Sequence, residues 1–154
     1  MGERERRCTL MDIESGLSRL VHRVRLEDHG DLKGSLAAID AKSEFPFPIE
    51  RVLFEFGTQP EVTRGNHANL QSRFGFVCVA GHCTIDLDDG RTRESMLLAG
   101  PLDLVVVDKM VWTVMRDFSE DCVLLILSDR SYDPADSIRD YDDFLAWSRF
   151  GEEE

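Results

Sequence analysis

A chain of 154 residues, 42% hydrophobic and 31% charged, is the size of one domain that can bury its own core without disulfide or metal staples. Its 18 basic and 30 acidic residues give a formal net charge of −12, a field that repels phosphate backbones and argues against a general nucleic-acid binder. No segment approaches a membrane span, and residues 1–7 are charged with no apolar stretch of signal-peptide type after them, so the expectation is a cytoplasmic protein without a membrane partner.

Residues 1–12 read as a flexible leader and 13–150 as a single domain. Between 13 and 26 the pattern serves two periods. Ile13, Leu17, Leu20, Val21 and Val24 make a helical stripe, while Leu20, His22, Val24 and Leu26 make one face of a strand. A short helix or turn leading into a strand is expected there. From Leu36 the chain reads as β. Apolar runs at 36–39, 51–56, 74–80, 83–87, 95–98, 102–107, 111–115 and 122–127 are separated by turn signals. Phe45-Pro46-Phe47-Pro48 stiffens one connection. The stretch 63–69 sits between two of these runs and reads as a turn. Asp88-Asp89-Gly90 is a hairpin signal. Short strands at this spacing imply an all-β sandwich or barrel. Ile138, Tyr141, Phe144, Leu145 and Trp147 suit a short amphipathic helix near the end.

Arg64 and His67 are the best-placed reactive pair. A guanidinium can stabilise an oxyanion, and an imidazole can move a proton near neutral pH. His82 sits in an expected hairpin turn, where a solvated residue is the simpler reading, and His22 and His29 have no assignable role. A divalent ion needs several convergent ligands, and His67 is followed by Asn69, Gln71 and Ser72 with no acidic residue until Asp86, so no metal is expected. Trp112 serves equally well as a stacking wall or as core. Residues 129–134, followed by Arg139-Asp140-Tyr141, are polar and aromatic together: a capped turn before the last helix, or a rim that touches a ligand or a second subunit. Cys8, Cys78, Cys83 and Cys122 have no metal or redox spacing, and the last three read as buried, reduced thiols. Only Lys33, Lys42 and Lys109 of the basic residues are lysines, and clustered arginines could still bind a small anion. Serine elbows, Walker loops and dinucleotide fingerprints are absent.

Several segments in order carry a resemblance: Lys33-Gly34-Ser35-Leu36, the run from Phe45 to Val52, Arg64-Gly65-Asn66-His67-Ala68-Asn69, Leu87-Asp88-Asp89-Gly90, Val111-Trp112, Asp117-Phe118-Ser119 and Ile138-Arg139-Asp140-Tyr141. Together they resemble the nucleotide-sugar 3,4-ketoisomerases of the cupin superfamily, which include domains described as WxcM-like. The resemblance implies a jelly-roll β-barrel of cupin type, a homodimer, no metal or other cofactor, and a thymidine-diphosphate (dTDP)-linked 4-keto-6-deoxysugar as the small-molecule substrate. It implies a carbonyl moved from C4 to C3 through an enediol. His67 matches the first histidine of the family signature and Arg64 its arginine.

The departures are equally specific. The second signature histidine is Asn69, a histidine after the late tryptophan is Thr113, an arginine is Lys33, and tyrosines are Leu53 and Phe54, with Phe74 and Gly75 also changed. The resemblance thus marks His67, Arg64 and Asn69 for the reaction and Lys33, Phe54, Phe74, Trp112 and Thr113 for substrate binding. Two other readings stay open: a barrel recruited to isomerise or cyclise another small molecule in natural-product biosynthesis, and a ligand-binding partner without turnover.

Overall fold

The structure, a computed structural model, describes residues 9–11, 19–40 and 46–150. Its elements are β1 (Thr9–Met11), β2 (Val21–Arg25), β3 (Arg51–Phe56), β4 (Arg64–Asn69), β5 (Phe74–Ala80), β6 (His82–Asp88), β7 (Arg93–Ala99), β8 (Asp103–Val107), β9 (Trp112–Arg116), β10 (Val123–Ser128), β11 (Ser137–Ile138) and α1 (Tyr141–Phe150). All strand pairs are antiparallel. One sheet has the order β1-β2-β8-β5-β10-β3, the other β11-β4-β9-β6-β7. They pack against one another as an open jelly roll, an all-β domain of cupin-like type with one short C-terminal helix.

The core lies between the sheets. Val21, Phe76, Cys78, Val105, Val107, Leu124 and Ile126 come from one, and Cys83, Ile85, Leu87, Leu98 and Met115 from the other. The side-chain period of 2 explains the choice on β6, where Cys83, Ile85 and Leu87 are fully buried on alternate positions. On β8 all of Leu104 to Val107 are buried, because the strand is covered on both faces. Val105 and Val107 meet the inter-sheet core, while Leu104 and Val106 pack with Val24, Leu26, Phe47 and Val77 outside it. A fully buried leucine such as Leu124 is worth about 1.5–3 kcal/mol of transfer free energy.

Most expected strands form within a residue or two of their expected ends, and the β6–β7 hairpin closes where Asp-Asp-Gly predicted. Its caps are explicit: Asp88 accepts from the Gly90 amide, and Asp89 from those of Arg91 and Thr92. Residues 19–20 make a turn into β2, as one of the two N-terminal alternatives required; the helical stripe before it lies mostly outside the described residues. Four expectations need correction. Residues 9–11, inside the expected leader, pair with β2; the rest of 1–12, including Cys8, is outside the described residues. Residues 36–39 are not a strand: the Asp28 carboxylate accepts from the Gly30 and Leu36 amides and folds 28–36 into a loop closed by the Asp31–Gly34 bridge. Ile138 lies in β11, ahead of the helix. Residues 64–69, read as a turn, are strand β4.

Candidate functional site

β3 is the edge of the first sheet and β4 lies one strand from the edge of the second, so the two approach across a cavity of about 190 Å³. Arg51, Leu53 and Glu55 of β3 line it, as do Gly65, His67 and Asn69 of β4. Phe74 and Phe76 of β5, Thr113 and Met115 of β9, and the segment from Ser131 to Arg139 complete the wall.

β4 reaches this position through a bulge. Gly65 (φ 82°) and Asn66 (φ 55°) are both left-handed, and the register with β9 shifts between Gly65 and His67. Asn66 is the extra residue, held by its amide donating to the Thr63 hydroxyl at 3.1 Å. A side chain at Gly65 would place its Cβ 2.7 Å from the Thr113 carbonyl oxygen, so the close approach requires glycine. The stretch 63–69 reads as a turn in the sequence. Here the left-handed backbone of Gly65 and Asn66 lies inside a strand, and it sets His67 directly opposite Thr113. The His67 Nδ1 atom is buried and makes no hydrogen bond among the described residues.

Asp136 organises the far side of His67. Its carboxylate accepts from the Asn69 amide at 3.0 Å, from the Gln71 backbone N–H at 2.6 Å and from the Ser72 hydroxyl. Burial pushes its pKa up, but the hydrogen bonds from Ser72, Asn69 and Gln71 outweigh burial and hold it below the ordinary aspartate value. Because a carboxylate only accepts, the Asn69 NH₂ must face Asp136, which leaves its Oδ1 as the atom offered elsewhere. Arg64 is half exposed and ion-pairs with Glu55 at 3.0 Å, tying the two sheet edges together at the cavity. The Arg51 guanidinium lies over the Tyr132 ring at 5.0 Å. Arg139 is a second cation in the wall.

Sequence and structure comparisons show the family. Residues 19–149 match the family described as FdtA, "WxcM-like, C-terminal". The chain belongs to the WxcM-like family. It is 41% identical over 114 residues to the TDP-4-oxo-6-deoxy-α-D-glucose-3,4-oxoisomerase of Aneurinibacillus thermoaerophilus, covering 74% of this chain and 82% of that one. The 3,4-ketoisomerase of Helicobacter canadensis superposes with a TM-score of 0.81 at 33% identity, over 84% of this chain and 97% of its own. A mutant of the 3,4-ketoisomerase QdtA from Thermoanaerobacterium thermosaccharolyticum, solved in complex with TDP-4-keto-6-deoxyglucose, gives a TM-score of 0.83 at 30% identity, over 87% and 97%.

Of the residues that the WxcM-like resemblance marked, the fold gathers His67, Asn69, Phe74 and Thr113 on the cavity wall and brings Arg64 to it through Glu55. It does not bring Lys33, Phe54 or Trp112 there. Lys33 stands in the exposed Asp31–Gly34 turn, its amide bonded to Asp31. Phe54 points away from the cavity and is 59% exposed, because the alternation of β3 sends Leu53 inward instead. Trp112 packs beneath α1, with ring centroids 5.2 Å from Tyr141 and 5.6 Å from Phe144. His22, His29 and His82 do not line the cavity either. His82 is exposed, and its backbone N–H donates to Ser119 at 2.9 Å.

Sequence reasoning missed Arg51, Glu55, Ser72 and Asp136. Arg139 falls in a segment flagged as a possible rim, whereas Asp136 lies between the two flagged segments, 129–134 and 139–141, and no signal pointed to it. Ser72 appeared only as a weak metal-ligand candidate, and nothing in the local pattern singled out Glu55. Among the described residues, the cluster with the spacing of metal ligands is Cys78, Cys83 and Cys122, all buried. Their sulfurs lie 3.6 and 3.8 Å apart along Cys83–Cys78–Cys122. Its hydrogen bond with Cys83 and burial push the Cys78 thiol far up, and burial pushes Cys122 up to about 12, so these two thiols of the core stay neutral.

Proposed function

We propose that this chain is a 3,4-ketoisomerase of a thymidine-diphosphate-linked 4-keto-6-deoxyhexose. The observation that carries the reading is His67: the signature histidine sits on the cavity wall, opposite Thr113, with a buried ring nitrogen that makes no hydrogen bond among the described residues. A buried acceptor or donor without a partner is costly to fold, so it points to a group that a ligand completes.

The reaction is redox-neutral. A base removes the proton at C3, the carbonyl electrons move onto O4, and an enediolate forms; a proton is then delivered to C4 while the carbonyl re-forms at C3. Neutral His67 is the base for the first transfer and, as the imidazolium, the donor for the second. Arg51 and Arg139 supply cationic donors for the diphosphate in a chain whose overall charge would otherwise repel it. The protein works as a homodimer in the cytoplasm.

Incubation with dTDP-4-keto-6-deoxyglucose should yield the 3-keto isomer, resolved by NMR. His67→Ala should lower turnover by orders of magnitude, and unchanged turnover in that variant overturns the assignment. The apolar cavity residues Leu53, Phe74 and Phe76, with Asn69 locked onto Asp136, favour one second reading: the same cavity acting on a less polar small molecule. Thermal shift separates the two. Stabilisation by thymidine diphosphate supports the nucleotide sugar, and stabilisation by apolar compounds alone supports the alternative.

A further inference from the structure

The ketoisomerase reaction moves two protons. One passes from C3 to C4. The other leaves the O3 hydroxyl and ends on O4. His67 accounts for the first, and neither Asn69 nor Thr113, its neighbours on the wall, can lose and regain a proton near neutral pH.

Glu55 can. The alternation of β3 turns Arg51, Leu53 and Glu55 into the cavity, and the Glu55 side chain is only 12% exposed. Arg64 takes one carboxylate oxygen, Oε1, at 3.0 Å and fixes the group in place. The other, Oε2, is buried and has no hydrogen-bond partner among the described residues. Of the remaining carboxylates of the wall, Asp136 is committed to Asn69, Ser72 and the Gln71 amide, and Asp133 is exposed and caps the turn at Ala135 through Oδ1. A buried carboxylate oxygen left open in a ligand cavity is an acceptor waiting for a hydroxyl.

We propose that Glu55 is the second proton-transfer group of this cavity, relaying the hydroxyl proton between O3 and O4 of the sugar. The proposal rests on the ketoisomerase reading above. The steps balance. Neutral His67 takes the C3 proton, leaving an O4 enediolate and an imidazolium. The O3–H proton passes to Glu55 Oε2 and from there to O4, moving the negative charge to O3. The O3 electrons re-form the carbonyl at C3, and C4 takes the proton back from His67. Histidine ends neutral and glutamate ends as the carboxylate, so no other reactant is consumed.

Glu55→Gln tests this with the full-length protein and dTDP-4-keto-6-deoxyglucose in D₂O, following product and C3 deuteration together by NMR. The amide keeps the shape and an oxygen for Arg64 but cannot relay. Product formation should fall about a hundredfold or more, within the usual range for a lost acid–base group, while deuterium still enters C3 because His67 is intact. Glu55→Asp, which keeps the carboxyl, should turn over at least about tenfold faster than Glu55→Gln. Thymidine diphosphate binding and the melting temperature are read for both variants. Wild-type product formation in Glu55→Gln overturns the role, as does an aspartate variant no better than the glutamine one. Joint loss of product and C3 exchange in a folded, nucleotide-binding Glu55→Gln places Glu55 in the carbon step and also overturns it. Wild-type protein giving neither product nor exchange refutes the ketoisomerase reading itself, a result distinct from the others.

Discussion

Asn69 donates its side-chain amide to the carboxylate of Asp136 at 3.0 Å, joining the end of β4 to the 3-10 turn at Pro134–Asp136. The bond explains how an asparagine can stand where the family signature has a histidine without leaving the cavity wall loose. It also leaves a carboxylate already positioned to accept from a ring nitrogen placed at position 69.

Asn69→His should therefore be accepted by the fold. An imidazole that donates to Asp136 would be held in one tautomer with its other nitrogen free, the arrangement that suits proton transfer. Ketoisomerase turnover should rise, by about tenfold or more if the second imidazole acts as a general acid–base group. Steady-state kinetics beside the parent protein checks this, and a folded variant with lower turnover contradicts it.

Asp136→Asn should destabilise the protein by about 1–3 kcal/mol, since it faces donors with a donor. Its pH signature has a definite sign. The Asp136 carboxyl titrates below the ordinary aspartate value when folded, so its contribution is full above the unfolded value, about pH 4, and is lost as pH falls through the folded one. The melting-temperature gap between wild type and variant should be largest near neutrality and close below about pH 4. Asp86, held low by its hydrogen bonds from Arg116, loses stabilisation in the same direction and is unchanged by the substitution.

Gly65→Ala should cost about 1–3 kcal/mol, because alanine must adopt a φ of 82° and meet the Thr113 carbonyl oxygen at 2.7 Å. The bulge that aims His67 would have to move. Denaturant titration should show the loss of stability, and turnover should fall more than Thr113→Ser lowers it.

Phe54→Asp and Phe56→Asp test the proposed homodimer. Val52, Phe54 and Phe56 are 57%, 59% and 69% exposed on the outer face of β3, an edge strand whose free side is unpaired among the described residues. Such a row of large apolar side chains is the kind of surface that a second copy covers. Size-exclusion chromatography with light scattering should give a dimer for the wild type and a monomer for the double variant. A double variant that remains dimeric places the interface elsewhere.

Much of this architecture was legible from periodicity. The alternation in 83–87, the continuous apolar run of 102–107 and the Asp-Asp-Gly hairpin each specify their element through local chemistry, and the C-terminal amphipathic stripe specifies α1. The site was legible only in part. His67, Asn69, Phe74 and Thr113 were marked by resemblance and line the same cavity from the two sheets. Asp136 lies 67 residues from Asn69 in the chain, and its role exists only where β11 pairs with β4.

β3 shows where sequence stops. Its period of two divides Arg51, Leu53 and Glu55 from Val52, Phe54 and Phe56, and local patterning would bury the wholly apolar second set. The structure does the reverse. Position in the sheet decided it: at the edge beside β4, the face with Glu55 meets Arg64 across the cavity, and the phenylalanines are left outside. Gly65-Asn66 shows the same division. The sequence dictated left-handed backbone there, and only hydrogen bonding to β9 turned that freedom from a loop into the bulge that presents His67.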